Sequence, residues 1–152
     1  MKSKDERTAN LNYNKILKII EKAIGNKSTY SDELEGVAKQ LFGAKFKGVF
    51  PSDKIPILNG LCPYAIVNVD RSDQIGSHWM AICKNDNETI LYDSFGRHDT
   101  KIIPSLRYTG NGRIINTEKD PEQEIKEQNC GARCVAWLYL YDKFGKKQAL
   151  LI

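Results

Sequence analysis

Apolar side chains recur three and four residues apart in two early stretches of the chain, a spacing that predicts two amphipathic helices. The first spans Leu11 to Ile24, with Ile16, Leu17, Ile20, Ala23 and Ile24 on one face and Gly25 as its stop. The polar residues 1–10 before it read as frayed. Asn26 to Tyr30 reads as a linker. Ser31 then caps a second helix, with Asp32 and Glu33 favourable in its first turn. Leu34, Val37, Ala38, Leu41 and Phe42 form its apolar stripe, and Gly43 ends it. Pro51, Pro56, Gly60 and Pro63 mark an irregular region. Beyond it the period changes. Ala65 to Val69, His78 to Lys84, Glu88 to Asp93 and Arg113 to Asn116 read as strands, with a turn at Asn85-Asp86 and another between Gly110 and Gly112. A last, strongly apolar helix runs from Cys130 to about Lys143, before Gly145. Helices at both ends and strands between them predict an α+β fold, with a mixed or antiparallel central sheet flanked by helices.

Length and composition narrow the class without naming a function. The 152 residues suit one core, and a hydrophobic content of 41% with 28% charged residues is ordinary for a globular chain. No run is apolar enough to span a membrane, and nothing resembling a secretion signal follows Met1, so an intracellular, non-secreted protein is expected. Cys62, Cys83, Cys130 and Cys134 lack the spacing of a metal site and are expected to be reduced. No metal and no cofactor are called for. The net charge of +4 permits weak DNA contact without requiring it. Nothing sets the oligomeric state, and a monomer is the expectation.

The candidate chemistry starts at Gln128-Asn129-Cys130-Gly131. A thiol at a helix N-terminus feels the positive end of the helix dipole, which favours thiolate, the nucleophilic form. Gly131 would let a substrate backbone approach, and unpaired N–H groups of the first turn could hold an oxyanion. If a two-residue turn at Asn85-Asp86 closes a hairpin, His78 stands directly opposite Asp93 on one face, close enough for the carboxylate to fix the imidazole tautomer. The final helix then has only to bring Cys130 to the other ring nitrogen. Taken singly, each residue also fits a structural role: a strand histidine, a small buried thiol, an aspartate opening a turn. Their conjunction at three element boundaries points instead to a Cys-His-Asp site. His98 sits in a loop and is a poor candidate. Cys134, one turn after Cys130, should face the core.

At these residues the sequence resembles the adenovirus-type cysteine proteases, within the wider clan of SUMO and ubiquitin-like proteases. The resemblance is carried by Gly76-Ser77-His78-Trp79-Met80-Ala81, by Leu91-Tyr92-Asp93-Ser94-Phe95-Gly96 and by Asn129-Cys130-Gly131-Ala132-Arg133-Cys134, with support from Ser31-Asp32-Glu33-Leu34 and Ala65-Ile66-Val67-Asn68. It covers Ser31 to about Phe144. It implies a catalytic domain over 31–152 preceded by a one-helix extension over 1–30, with the nucleophile at the N-terminus of a central buried helix. It further implies Cys130 as nucleophile, His78 as general base and Asp93 as the acid that orients it. A glutamine six or seven residues before the cysteine serves the oxyanion hole in that family; Gln123 lies seven before Cys130, Glu124 six before, and Gln128 is the second choice. No cysteine near Ile114 and Ile115 could take the disulfide-linked activating peptide of the adenoviral enzyme. The implied activity is a cysteine endopeptidase of a virophage or related DNA virus or mobile element. It would cleave capsid or other virion precursors at small, glycine-containing sites, act at the site of assembly in the host cell and be packaged in the virion. Removal of ubiquitin-like modifiers and acyl transfer are the alternatives within the clan. A DNA-binding virion protein with a decayed site is the alternative outside it.

Overall fold

The structure, a computed structural model, describes residues 3–24, 31–68, 78–94, 112–117 and 129–152. The chain order is α1 (Lys4–Ile24), α2 (Ser31–Phe42), a 3₁₀ turn (Gly43–Lys45), β1 (Phe46–Phe50), β2 (Tyr64–Asn68), β3 (Trp79–Asn85), β4 (Glu88–Tyr92), β5 (Arg113–Asn116), α3 (Cys130–Phe144) and α4 (Lys146–Leu150). Among the described residues the strands form one mixed sheet in the order β1-β2-β3-β4-β5. β2, β3 and β4 are antiparallel neighbours, while β1 and β5 add in parallel at the two edges. The class is α+β, a mixed five-stranded sheet flanked by helices.

The central strands are apolar almost without alternation because both faces of the sheet are covered. On one face Tyr64, Ile66, Ala81, Cys83, Ile90 and Tyr92 join the core made by the helices. On the other, Ala65, Val67, Met80, Ile82 and Leu91 pack against Ile55 and Leu58 from the irregular segment after β1. α3 lies at the centre of the helical layer, and nearly every residue from Cys130 to Leu140 is buried. No helix among the described residues is long and apolar enough to cross a membrane.

Helix α1 begins seven residues earlier than its apolar stripe predicts, at Lys4. Ser3 supplies the reason. Its hydroxyl accepts the Glu6 N–H at 3.1 Å and donates to the Glu6 carboxylate at 3.4 Å, a Ser-x-x-Glu cap in a stretch that polarity alone made look frayed. The buried face is Ala9, Tyr13, Ile16, Leu17 and Ile20, while Ala23 is exposed. These side chains share one core with α3, so the N-terminal helix is packed into the body of the fold. The expected linker over 26–30 lies outside the described residues.

Two elements have no counterpart in the sequence pattern. β1 is hidden because a bulge breaks its alternation: Phe46 pairs with Tyr64 and Gly48 with Ala65, leaving Lys47 as the extra residue. α4 is hidden because Gly145, at φ +89, does end α3, yet the chain resumes as a helix at once. The indole N–H of Trp137 donates to the Ala149 carbonyl at 3.0 Å and ties the two helices together.

The β3–β4 hairpin differs from its expected register. Its turn is Asp86-Asn87 rather than Asn85-Asp86, with Asp86 at φ 53, and Asn85 opposes Glu88. Ala81 opposes Tyr92, so an extension of the ladder makes His78 and Asp93 diagonal neighbours instead of a directly opposed pair. The difference is an even number of positions, so both side chains keep the same face. Diagonal partners remain within reach of long side chains.

The turn also anchors β5. Arg113 N–H donates to the Asn87 carbonyl at 3.0 Å. Gly112, at φ +79, lies so close that an added Cβ would stand 2.3 Å from that same oxygen. Neither the backbone angle nor the backbone contact can relax locally. Gly112→Ala should therefore destabilise the protein by about 2 kcal/mol or more in chemical denaturation; a loss below about 0.5 kcal/mol, the size of an ordinary surface change, would contradict this placement.

Candidate active site

His78 immediately precedes β3 and Asp93 immediately follows β4, so antiparallel pairing puts both at one end of the sheet. His78 Nε2 and Asp93 Oδ1 are 2.7 Å apart. Both side chains are buried, with residue exposures of 4% and 5%, which makes water a poor competitor for this hydrogen bond. Cys130 opens α3 beside His78, close enough that thiol and imidazole each shift the other's titration. With Nε2 facing Asp93, Nδ1 is the ring nitrogen left for the sulfur. Carboxylate, imidazole and thiol are thus neighbours in that order, and Cys130, at 9%, keeps the largest exposure of the three residues.

The main chain completes the sulfur's surroundings. The N–H groups of Trp79 and Gly131 both donate to Cys130. Gly131 N–H is available because Asn129, at the N-cap position of α3, makes no side-chain cap. Its amide oxygen instead accepts from Arg133 Nε at 3.1 Å.

Burial pushes the Cys130 thiol up, but the His78 hydrogen bond and the two main-chain donors outweigh it and hold the thiol below its ordinary range. Burial alone would lower the His78 pKa; the hydrogen bonds to Asp93 and Cys130 more than reverse this and raise it to about 8. These opposite shifts favour transfer of the thiol proton to the imidazole. The Nε2 side of the ring is held by Asp93. Because its folded pKa is raised from 6.5 to about 8, the pairing contributes stability that is full below about 6.5 and lost as pH rises through about 8. Cys134 contrasts sharply. Fully buried, with Cys130 and Asp93 adding further negative potential, its thiol is held well above the ordinary range.

Gly131 has a role different from the expected one. An added Cβ would meet Leu34 Cδ2 at 2.7 Å and Cδ1 at 3.0 Å. The missing side chain lets α2 press against the first turn of α3, rather than opening that turn to a substrate backbone. Behind the turn stands a buried polar network that the sequence pattern did not reveal. Arg133 Nη1 donates to the Tyr13 hydroxyl at 3.2 Å, and the Tyr13 and Tyr92 hydroxyls share a hydrogen bond of 2.7 Å. A charged residue inside an otherwise apolar helix was its one visible signal. The Trp79 N–H had none, since a main-chain donor leaves no mark in residue type.

Gln123, Gln128 and His98 lie outside the described residues. Among those described, no group of three or more His, Cys, Asp or Glu side chains could hold a metal ion. No protein-family model and no curated protein matches this chain.

Gly131→Ala should cost about 1–3 kcal/mol of stability through overpacking against Leu34. A double-mutant cycle with Leu34→Ala should recover part of that loss, because the smaller partner makes room for the new methyl. Strict additivity would contradict the contact.

Proposed function

We propose that this protein is a cysteine endopeptidase using Cys130, His78 and Asp93. The single observation that carries the reading is the buried Asp93–His78 hydrogen bond with the Cys130 thiol beside it at a helix N-terminus, the thiol shifted down and the imidazole up. Proton sharing of this kind prepares a nucleophile and an acid in one step.

The Cys130 thiolate attacks the scissile carbonyl carbon and forms a C–S bond, while the carbonyl electron pair moves to oxygen. First-turn N–H groups of α3 are the nearest donors for that oxyanion, and Gln123, or else Gln128, is proposed to assist. As the C–N bond breaks, His78 gives its proton to the leaving amine. The acyl group stays on sulfur as a thioester. Water then attacks the thioester, His78 takes the water proton, and C–S cleavage releases the acid and restores the thiolate–imidazolium pair. Asp93 keeps the ring oriented throughout and favours the imidazolium. The resemblance to adenovirus-type proteases supports virion precursor polypeptides, cut at small glycine-containing sites, as the substrates.

Cys130→Ala should abolish cleavage of candidate precursors, with new termini mapped by mass spectrometry, while Cys134→Ala retains much of it; the reverse pattern would overturn the assignment. Asp93→Asn should lower kcat roughly a hundredfold or more without eliminating it, because orientation and not the nucleophile is lost. The pH profile of kcat/KM should be a bell. Its acid limb lies below the ordinary thiol range, where Cys130 takes a proton, and its alkaline limb falls near pH 8, where His78 loses one. A rate still rising beyond pH 9 would contradict the ion pair.

A further inference from the structure

The hydroxyl network behind the site joins the two segments that carry the proposed catalytic residues. Tyr92 is the chain neighbour of Asp93, and Asn129 is the chain neighbour of Cys130. Between them run Tyr92–Tyr13 (2.7 Å), Tyr13–Arg133 (3.2 Å) and Arg133–Asn129 (3.1 Å). Tyr13 comes from α1, the element with no counterpart in the resembling family, and it is fully buried. Its ring stands edge-on to Tyr92, with centroids 6.3 Å apart. Tyr92 in turn stacks on Trp137 of α3, with centroids 5.4 Å apart and planes within 1° of parallel.

We infer that Tyr13, Tyr92, Arg133 and Asn129 form a positioning bridge through which the N-terminal helix sets the first turn of α3, and with it Cys130, against the His78–Asp93 pair. The inference rests on the cysteine-protease reading and deepens it. None of the four residues touches the reacting atoms. They act on where the sulfur stands.

The chemistry of the links supports a geometric role over simple packing. A guanidinium offers donors in a rigid fork, and Arg133 uses Nε toward Asn129 and Nη1 toward Tyr13, two directions that one ammonium cannot reproduce. Asn129 gives up the usual N-cap interaction to receive Arg133, which leaves Gly131 N–H for the sulfur. Hydroxyls and a cation buried this deeply are costly unless paired, so a shift of α1 relative to α3 would leave buried donors without acceptors. The bridge therefore has one favoured geometry. Among the described residues, the titratable group that shifts the Cys130 thiol is His78, just before β3, and it does not belong to the bridge; Cys134, one turn along α3, is itself shifted by Cys130.

The test is the pH dependence of Cys130 alkylation by iodoacetamide in the full-length protein, read by peptide mass spectrometry, beside kcat and KM for cleavage. Tyr13→Phe and Tyr92→Phe each remove one hydroxyl and keep the ring. Arg133→Lys keeps the charge and loses the fork. Each should remain folded and move the alkylation midpoint upward by roughly one pH unit, a tenfold loss of thiolate at a fixed lower pH. Each should also lower kcat about tenfold or more with KM within about twofold. Ile16→Ala, a buried α1 change away from the bridge, should lower the melting temperature and leave the midpoint in place. Wild-type midpoints in both phenylalanine variants would overturn the bridge, as would an Ile16→Ala shift equal to theirs, since that would make general stability the cause. A wild-type Cys130 that alkylates like an ordinary free thiol would instead overturn the protease reading beneath it. If Arg133→Lys does not fold, the two phenylalanine variants decide alone.

Discussion

The hydrogen bond between His78 and Asp93 is the constraint around which the described structure is arranged. A carboxylate and an imidazole buried side by side are costly to desolvate, and they persist because each satisfies the other at 2.7 Å. The pair can exist only where two antiparallel strands end together. It becomes chemically useful only when a third group reaches the remaining ring nitrogen. β3 and β4 supply the first condition, and the N-terminus of α3 supplies the second. The sulfur is then stabilised as thiolate from three directions: His78, the Trp79 main chain and its own helix.

Much of the surrounding fold reads as support for that meeting point. A sheet covered on both faces gives β3 and β4 little freedom to slide, since a one-residue slip would exchange their two apolar faces. α2 presses on the first turn of α3 where Gly131 has no side chain, and α1 reaches the same turn through Tyr13 and Arg133. At the far end of the sheet, Lys146 pairs with Glu88 at 2.8 Å, and the Tyr64 hydroxyl and Lys45 share Asp142. These links tie helices to strands around the end opposite Cys130. The thiol is therefore held by packed elements and not by a single flexible loop.

The class of fold, α2, four of the five strands and the whole of α3 were legible because each rests on a local signal: a helical stripe, a short apolar run between turns, a glycine at an end. The juxtaposition of His78 and Asp93 was legible for a related reason, because face is a matter of parity. The turn was displaced by one residue, yet the diagonal register preserved the face. What escaped was non-local or non-periodic. The bulge at Lys47 erased the alternation of β1, and the restart after Gly145 hid α4. Ser3 capped a helix whose first turns look polar. The contact of Gly131 with Leu34 and the Tyr13–Arg133 link join positions far apart in the chain, and no spacing rule encodes them. A glutamine for the oxyanion hole was suggested only by resemblance, and both candidates, Gln123 and Gln128, lie outside the described residues.

The most direct measurement of the central claim is a titration of thiolate absorbance in the ultraviolet, taken as the difference between wild type and Cys130→Ala and repeated with His78→Ala and Asp93→Asn. The expected result is a thiolate signal at neutral pH that belongs to Cys130, persists in Cys134→Ala, and moves toward ordinary thiol pH when His78 or Asp93 is replaced. A wild type with no Cys130 thiolate at neutral pH, or one whose thiolate is indifferent to both replacements, would contradict it.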